Sequence, residues 1–284
     1  RLAGASVRLR PRRFVVTELP GYISYSQANT YLGCPRSWYL SYIQKAEQVQ
    51  TWYLPIGTAV HQMIETRLKG EPEQSAEEAF WPLISAQLLI EPDQSKWLAG
   101  GPKADPTVGP KALWKVVDCY ERALELLEDL DVWEVEYDAS GRLPGLSVPI
   151  KAFVDIIGEH KKHGPVILDW KTGSSKPKDA FQLETYAALL RESGELYSGA
   201  SFKGMWAMLD PKAAKARPID LSAVDPREIG AKYQKVRKGM ESMFIPAKRK
   251  FMCTMCFQKS NCGMYDLTPR SAYYDRSHRD QPPF

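Results

Sequence analysis

Two apolar runs joined by a short polar turn constrain this chain more than any other feature. LSVPIKAFVDIIG (146–158) and PVILDWK (165–171) read as strands, and EHKKHG between them reads as their turn. Antiparallel pairing about a turn centred near Lys162 sets Asp155 opposite Asp169, each seven residues from the centre. Opposed side chains on one face have Cβ atoms roughly 5 Å apart. Two carboxylates that close repel unless a cation separates them, and hard carboxylate oxygens suit Mg²⁺ or Mn²⁺. Lys171 lies two residues beyond Asp169, so strand alternation returns its side chain to the same face. Two acids and a lysine then share one surface, held by the buried run Val166-Ile167-Leu168.

The flanking segments place that hairpin in an α/β layout. KALWKVVDCYERALELLEDL (111–130) has the apolar spacing of a helix, and VWEVEYD (132–138) reads as a strand. PKDAFQLETYAALLRES (177–193) predicts a second helix, SFKGMWAML (201–209) a fourth strand, and PREIGAKYQKVRKGMESM (226–243) a basic helix. The order helix, three strands, helix, strand predicts a central mixed β-sheet flanked by helices. Upstream, FVVTEL (14–19) reads as a short strand. GYISYSQANTYLGCPRSWYLSYIQ (21–44) reads as a helix or helix pair with Ser24 or Ser26 as N-cap, and Pro35 disfavours helical geometry at Cys34 before it. IGTAVHQMIETRLKG (56–70) reads as a helix ending at Gly70. Residues 71–110, with one helical patch at SAEEAFWPLISAQLL, read as a less regular insertion.

The formal charge of +4 hides a segregated pattern. Residues 1–50 carry seven Lys and Arg against Glu18 and Glu47, residues 203–250 carry twelve against five acids, and residues 111–140 carry nine acids against three bases. Such separation can steer a polyanion, with basic stretches near Arg10–Arg13 and Lys232–Arg249 following phosphates, while aromatics such as Tyr31, Trp38 and Tyr42 either stack on bases or, the reading preferred, fill the core. No apolar run approaches the length of a membrane span, and no apolar stretch follows the Arg-rich start, so neither a membrane anchor nor a secretory signal is expected. Of five cysteines, three form Cys253-x2-Cys256-x5-Cys262 and a fourth is Cys34, an arrangement suited to a metal or cluster site in a reducing, cytoplasmic setting. Four thiolates hold either a 4Fe–4S cluster or a structural Zn²⁺, and either would staple the two ends of the chain together. Cys119 lies on an apolar helix and reads as a core residue.

The ordered strings GTAVH (57–61), FVDII (153–157), ILDWKTG (167–173) and QLETY (182–186) resemble the motifs of the PD-(D/E)XK nuclease superfamily, in its RecB-like branch. YLGCPRSWYL before them and CTMCFQKSNC after them resemble the iron–sulfur members: the AddB-type nuclease domain, the CRISPR-associated adaptation nucleases, and phage and eukaryotic single-strand exonucleases. The resemblance runs from about Ser24 to Cys262. It implies a restriction-endonuclease-like core at about 111–210 in a single nuclease domain over 1–284, a helical insertion at about 71–110, and a cluster region built from 24–45 and 244–265. It implies His61, Asp155, Asp169 and the Trp170 backbone carbonyl as ligands of Mg²⁺ or Mn²⁺. Lys171 would orient or deprotonate the attacking water, and Gln182 and Tyr186 would position the DNA strand or Lys171. Glu134 or Glu136 would supply a further acid, and Cys34, Cys253, Cys256 and Cys262 would bind the cluster. The implied activity is a metal-dependent deoxyribonuclease acting on single strands or DNA ends in recombination, repair or phage DNA processing, alongside a helicase or recombination protein. The alternative is a non-catalytic DNA-binding scaffold in a recombination or CRISPR-adaptation complex.

Overall fold

A computed structural model describes residues 18–98, 108–194, 197, 199–213, 217–241, 253 and 255–263. The strand expected at 14–19 falls mostly outside these residues, as do Arg10–Arg13 and 242–252. Five strands form one mixed sheet in chain order: β1 (Leu130–Asp138), β2 (Phe153–His160), β3 (Gly164–Lys171), β4 (Lys203–Met208) and β5 (Ile219–Asp220). All neighbours are antiparallel except β3 and β4, which are parallel and joined through the crossover helix α6 (Phe181–Glu192). The β2–β3 register pairs Gly158 with Val166 and Ile156 with Leu168, which centres the hairpin at residue 162 as the sequence implies.

Helices cover both faces of the sheet. α1 (Tyr25–Gly33), the one-turn α2 (Pro35–Trp38), α6 and α7 (Pro226–Glu241) share a core with Val154, Ile157 and Ile167. α3 (Tyr53–Leu68), α4 (Ala76–Ile90) and α5 (Val108–Leu127) share a second core with Ile156, Leu168 and Trp170. Ser24 caps α1, its hydroxyl accepting from the Gln27 N–H at 3.2 Å. That helix stops at Cys34, which is extended (φ −158°, ψ 108°) because Pro35 follows and opens α2.

One expectation needs correction. Residues 146–152 are not strand: they hold only isolated bridges from Ile150 to Ile23 and Gly141, and Pro149 has no N–H to give a ladder. The helical patch expected at SAEEAFWPLISAQLL is the 15-residue α4, started by a capping box between Ser75 and Glu78, and its Ala79, Phe80 and Ile84 are core residues.

The end of the described chain docks on its beginning. Gln258 is fully buried and donates to Ser41 Oγ (3.1 Å) and the Ala46 carbonyl (3.2 Å). The Val49 N–H donates to the Phe257 carbonyl at 2.8 Å, and Asn261 Nδ2 to that of Glu47 at 2.6 Å.

Candidate active site

Three acids stand in a row across three strands. Asp155 and Asp169 are the next positions out from the last registered β2–β3 pair, Ile156 with Leu168. On the other side, Val135 pairs with Ile156 and Tyr137 with Val154, so Glu136 stands opposite Asp155. Glu136 is one of two non-glycine residues with positive φ among the described residues (φ 51°). A left-handed residue inside a strand is costly and persists where its surroundings enforce it, often at functional sites. The β1 register also shifts between Val132 and Glu134. The shift precedes both glutamates and moves them together, so it is the left-handed backbone at Glu136 that sets it apart: the Tyr197 hydroxyl donates to Glu134 at 3.4 Å, whereas Glu136 joins the acid row.

His61 reaches the row from α3. Its Nδ1 lies 3.8 Å from Asp155 Oδ2, and it hydrogen-bonds the Trp170 backbone. One ligand atom each from His61, Glu136 and Asp155 lie within 4.8 Å of one another, the metal-ready group among the described residues. Asp155 Oδ2 also accepts from the Trp170 N–H at 2.7 Å, which ties β2 to β3 where their ladder ends.

Asp169 faces the opposite neighbours. It is 2% exposed and forms an ion pair with Lys171. Gln182 Nε2 donates to Asp169 Oδ1 (2.7 Å) and to the Tyr186 hydroxyl (2.7 Å), and its Oε1 accepts from Lys171 Nζ (3.2 Å). Lysine only donates, so the Gln182 oxygen must face it, and this fixes the amide orientation. Lys171 Nζ also lies 5.1 Å from the centroid of Trp206, the β4 residue in register with Asp169.

Burial, then repulsion from Asp169, raises the Asp155 carboxyl well above the usual carboxylate range. Burial raises Asp169 despite Lys171, and raises Glu136, to which Glu65 and Asp169 add. Burial lowers His61, favouring the neutral imidazole that ligates metals. Asp169 Oδ2 is buried with no hydrogen bond beyond its ion pair. Clustered acids raised in this way and a neutral histidine are a donor set that fits a divalent cation.

The structure thus brings together His61, Asp155, Asp169, Trp170, Lys171, Gln182 and Tyr186, and adds Glu136 in preference to Glu134. At the other pole, Cys256 lies 3.8 Å from Ser37 Oγ, and its thiol is raised by burial and by the nearby Cys34 and Cys262. Cys119 is fully buried, as expected of a core thiol. Of the two readings of the aromatics, the core one holds: Trp38 is fully buried, and Tyr31 and Tyr42 pack against the same core, with Tyr31 edge-on to Trp38. An aromatic-rich helix looks alike in sequence whether it faces bases or core.

A mixed sheet with an acid row, a lysine two residues on and a Gln–Tyr helix defines a nuclease fold, and residues 22–263 match the profile of the PD-(D/E)XK nuclease superfamily; the chain belongs to that family. It is 25% identical over 272 residues to the gene 69 protein of Mycobacterium phage D29, spanning 85% of this chain and 96% of that protein. Among solved structures, it matches the crystal structure of SSO0001 with a TM-score of 0.34 and 14% identity, over 73% of this chain and 95% of that one. No helix among the described residues is long and apolar enough to cross a membrane.

Proposed function

We propose that this protein is a divalent-metal-dependent exonuclease of single-stranded DNA or DNA ends, working in recombination, repair or phage DNA processing. The observation that carries this reading is the junction of two half-sites at Asp155 and Asp169: His61 and Glu136 on one side, Lys171 and Gln182 on the other.

His61, Glu136, Asp155 and Asp169, with the Trp170 carbonyl, would hold Mg²⁺ or Mn²⁺. Such an ion lowers the pKa of bound water and polarises the phosphoryl oxygens. Lys171, anchored by Asp169 and Gln182, presents its ammonium to the attacking water and to the charge that develops on the phosphorane. Tyr186 and Gln182 hold that lysine in place. α7 offers a phosphate track: Arg227, Lys235 and Lys238 line a cavity of about 580 Å³ together with Gln234, and Lys232 is exposed on the next turn.

Cys34, Cys253, Cys256 and Cys262 would hold a 4Fe–4S cluster that staples one nuclease domain at its ends, in a reducing intracellular setting. The docking of residues 256–261 on 37–49 supports this. Iron with acid-labile sulfide after anaerobic purification is the expected result, and stoichiometric zinc without iron refutes the cluster. For activity, linear and circular single-stranded DNA are incubated with Mn²⁺. Loss of the linear form alone is expected; equal cleavage of the circle refutes the exonuclease reading, and no cleavage with any divalent metal favours a scaffold.

A further inference from the structure

Tyr22 and Phe153 are 40% and 42% exposed, and they flank one lysine. Lys151 Nζ lies 5.8 Å from the Tyr22 ring centroid and 5.5 Å from that of Phe153, within the range of cation–π attraction. Single exposed aromatics are ordinary on a protein surface. Two that share a cation beside an acid cluster are a different matter.

The three residues sit on fixed backbone. Tyr22 precedes Ile23, which is fully buried; the Ile23 N–H donates to the Pro149 carbonyl at 3.0 Å, and its carbonyl accepts from the Lys151 N–H at 2.8 Å. Phe153 opens β2 in register with Asp138. It lies two residues ahead of Asp155, about 7 Å along the strand. A nucleotide resting on it would therefore sit on the order of one or two nucleotides from the acid row.

We propose that Tyr22, Lys151 and Phe153 form a base-stacking platform that engages single-stranded DNA beside the reacting phosphate and makes the site prefer single strands. The inference rests on the nuclease reading of the neighbouring acids. Its chemistry is separate from theirs. The rings offer π-faces to bases, and the lysine offers charge to a phosphate. A base inside a duplex has both faces covered by its neighbours, so only an unpaired base can use the rings.

The test is fluorescence anisotropy of the full chain with labelled oligo(dT) and with a blunt hairpin duplex of equal phosphate count, in Ca²⁺ without Mn²⁺ or Mg²⁺. Phe153→Leu and Tyr22→Leu keep apolar bulk without a π-face, and Phe153→Trp restores one. Each leucine variant is expected to bind oligo(dT) about tenfold more weakly, with hairpin affinity nearly constant, and the tryptophan variant to regain wild-type affinity. Wild-type oligo(dT) affinity in both leucine variants, or equal weakening for both ligands, overturns the platform. Cleavage by the wild type in Mn²⁺ is scored separately. Protein that shows the platform signature and cuts nothing refutes the nuclease reading while the platform stands, and the converse result refutes the platform alone.

Discussion

Asp155→Asn should make the metal-free protein more stable while abolishing its response to metal. Asp155 and Asp169 occupy adjoining positions on β2 and β3, so their carboxylates lie roughly 5 Å apart. At that separation and an effective dielectric constant of about 20, two unit charges repel by about 3 kcal/mol. Lys171, paired with Asp169, offsets part of this, leaving a net relief of roughly 1–2 kcal/mol when one charge is removed. Asparagine keeps an oxygen to accept from the Trp170 N–H, so the strand junction is preserved. For a domain of this size the melting temperature should rise by about 2–6 °C in EDTA. Saturating Mn²⁺, at about a hundred times its Kd, should stabilise the wild type by about 2.7 kcal/mol and the variant by much less. The pH dependence carries the same sign. A buried carboxyl with a raised pKa binds its proton more tightly folded than unfolded, so metal-free stability should rise as pH falls from the raised value toward the usual 3.8. Asp155→Asn should flatten that rise. Thermal unfolding followed by circular dichroism across pH, with and without metal, is the assay. A variant less stable than the wild type in EDTA refutes the reasoning.

Gly230→Ala should destabilise the fold by about 1–3 kcal/mol, because a Cβ there collides with the Pro144 backbone carbonyl where α7 packs on the 143–145 turn; an unchanged melting temperature contradicts that packing. Glu136→Gly should relieve the positive φ at β1 and stabilise the metal-free protein by about 1 kcal/mol, while weakening Mn²⁺ binding measured calorimetrically. Unaltered Mn²⁺ affinity removes Glu136 from the site. Cys119, fully buried and with its thiol pushed up to about 11 by burial, should resist iodoacetamide at pH 8 in the native protein and react once unfolded. Native labelling at Cys119, read by peptide mass spectrometry, contradicts its place in the core.

The elements that were legible in the sequence are those whose register follows from local pattern. The β2–β3 hairpin repeats its apolar runs about residue 162, so the adjacency of Asp155 and Asp169 follows from counting. Gln182 and Tyr186 meet because residues four apart share a helix face, and their side chains do bond at 2.7 Å. Glu136 was not separable from Glu134, because period-two alternation puts both on one face. The positive φ at Glu136 divides them, and it leaves no compositional mark. The exposed Tyr22 and Phe153 were hidden for a related reason. Their partnership with Lys151 depends on the bridge between residues 23 and 150, a contact remote in sequence.

The central claim is that Asp169 and Lys171 act together on a phosphodiester, and single-turnover cleavage of end-labelled single-stranded DNA in Mn²⁺ tests it most directly. The wild type should cut, and Asp169→Ala and Lys171→Ala should each lose on the order of a hundredfold or more in rate, with oligo(dT) binding retained in the lysine variant to within about tenfold. Cleavage by either variant at the wild-type rate would contradict the account.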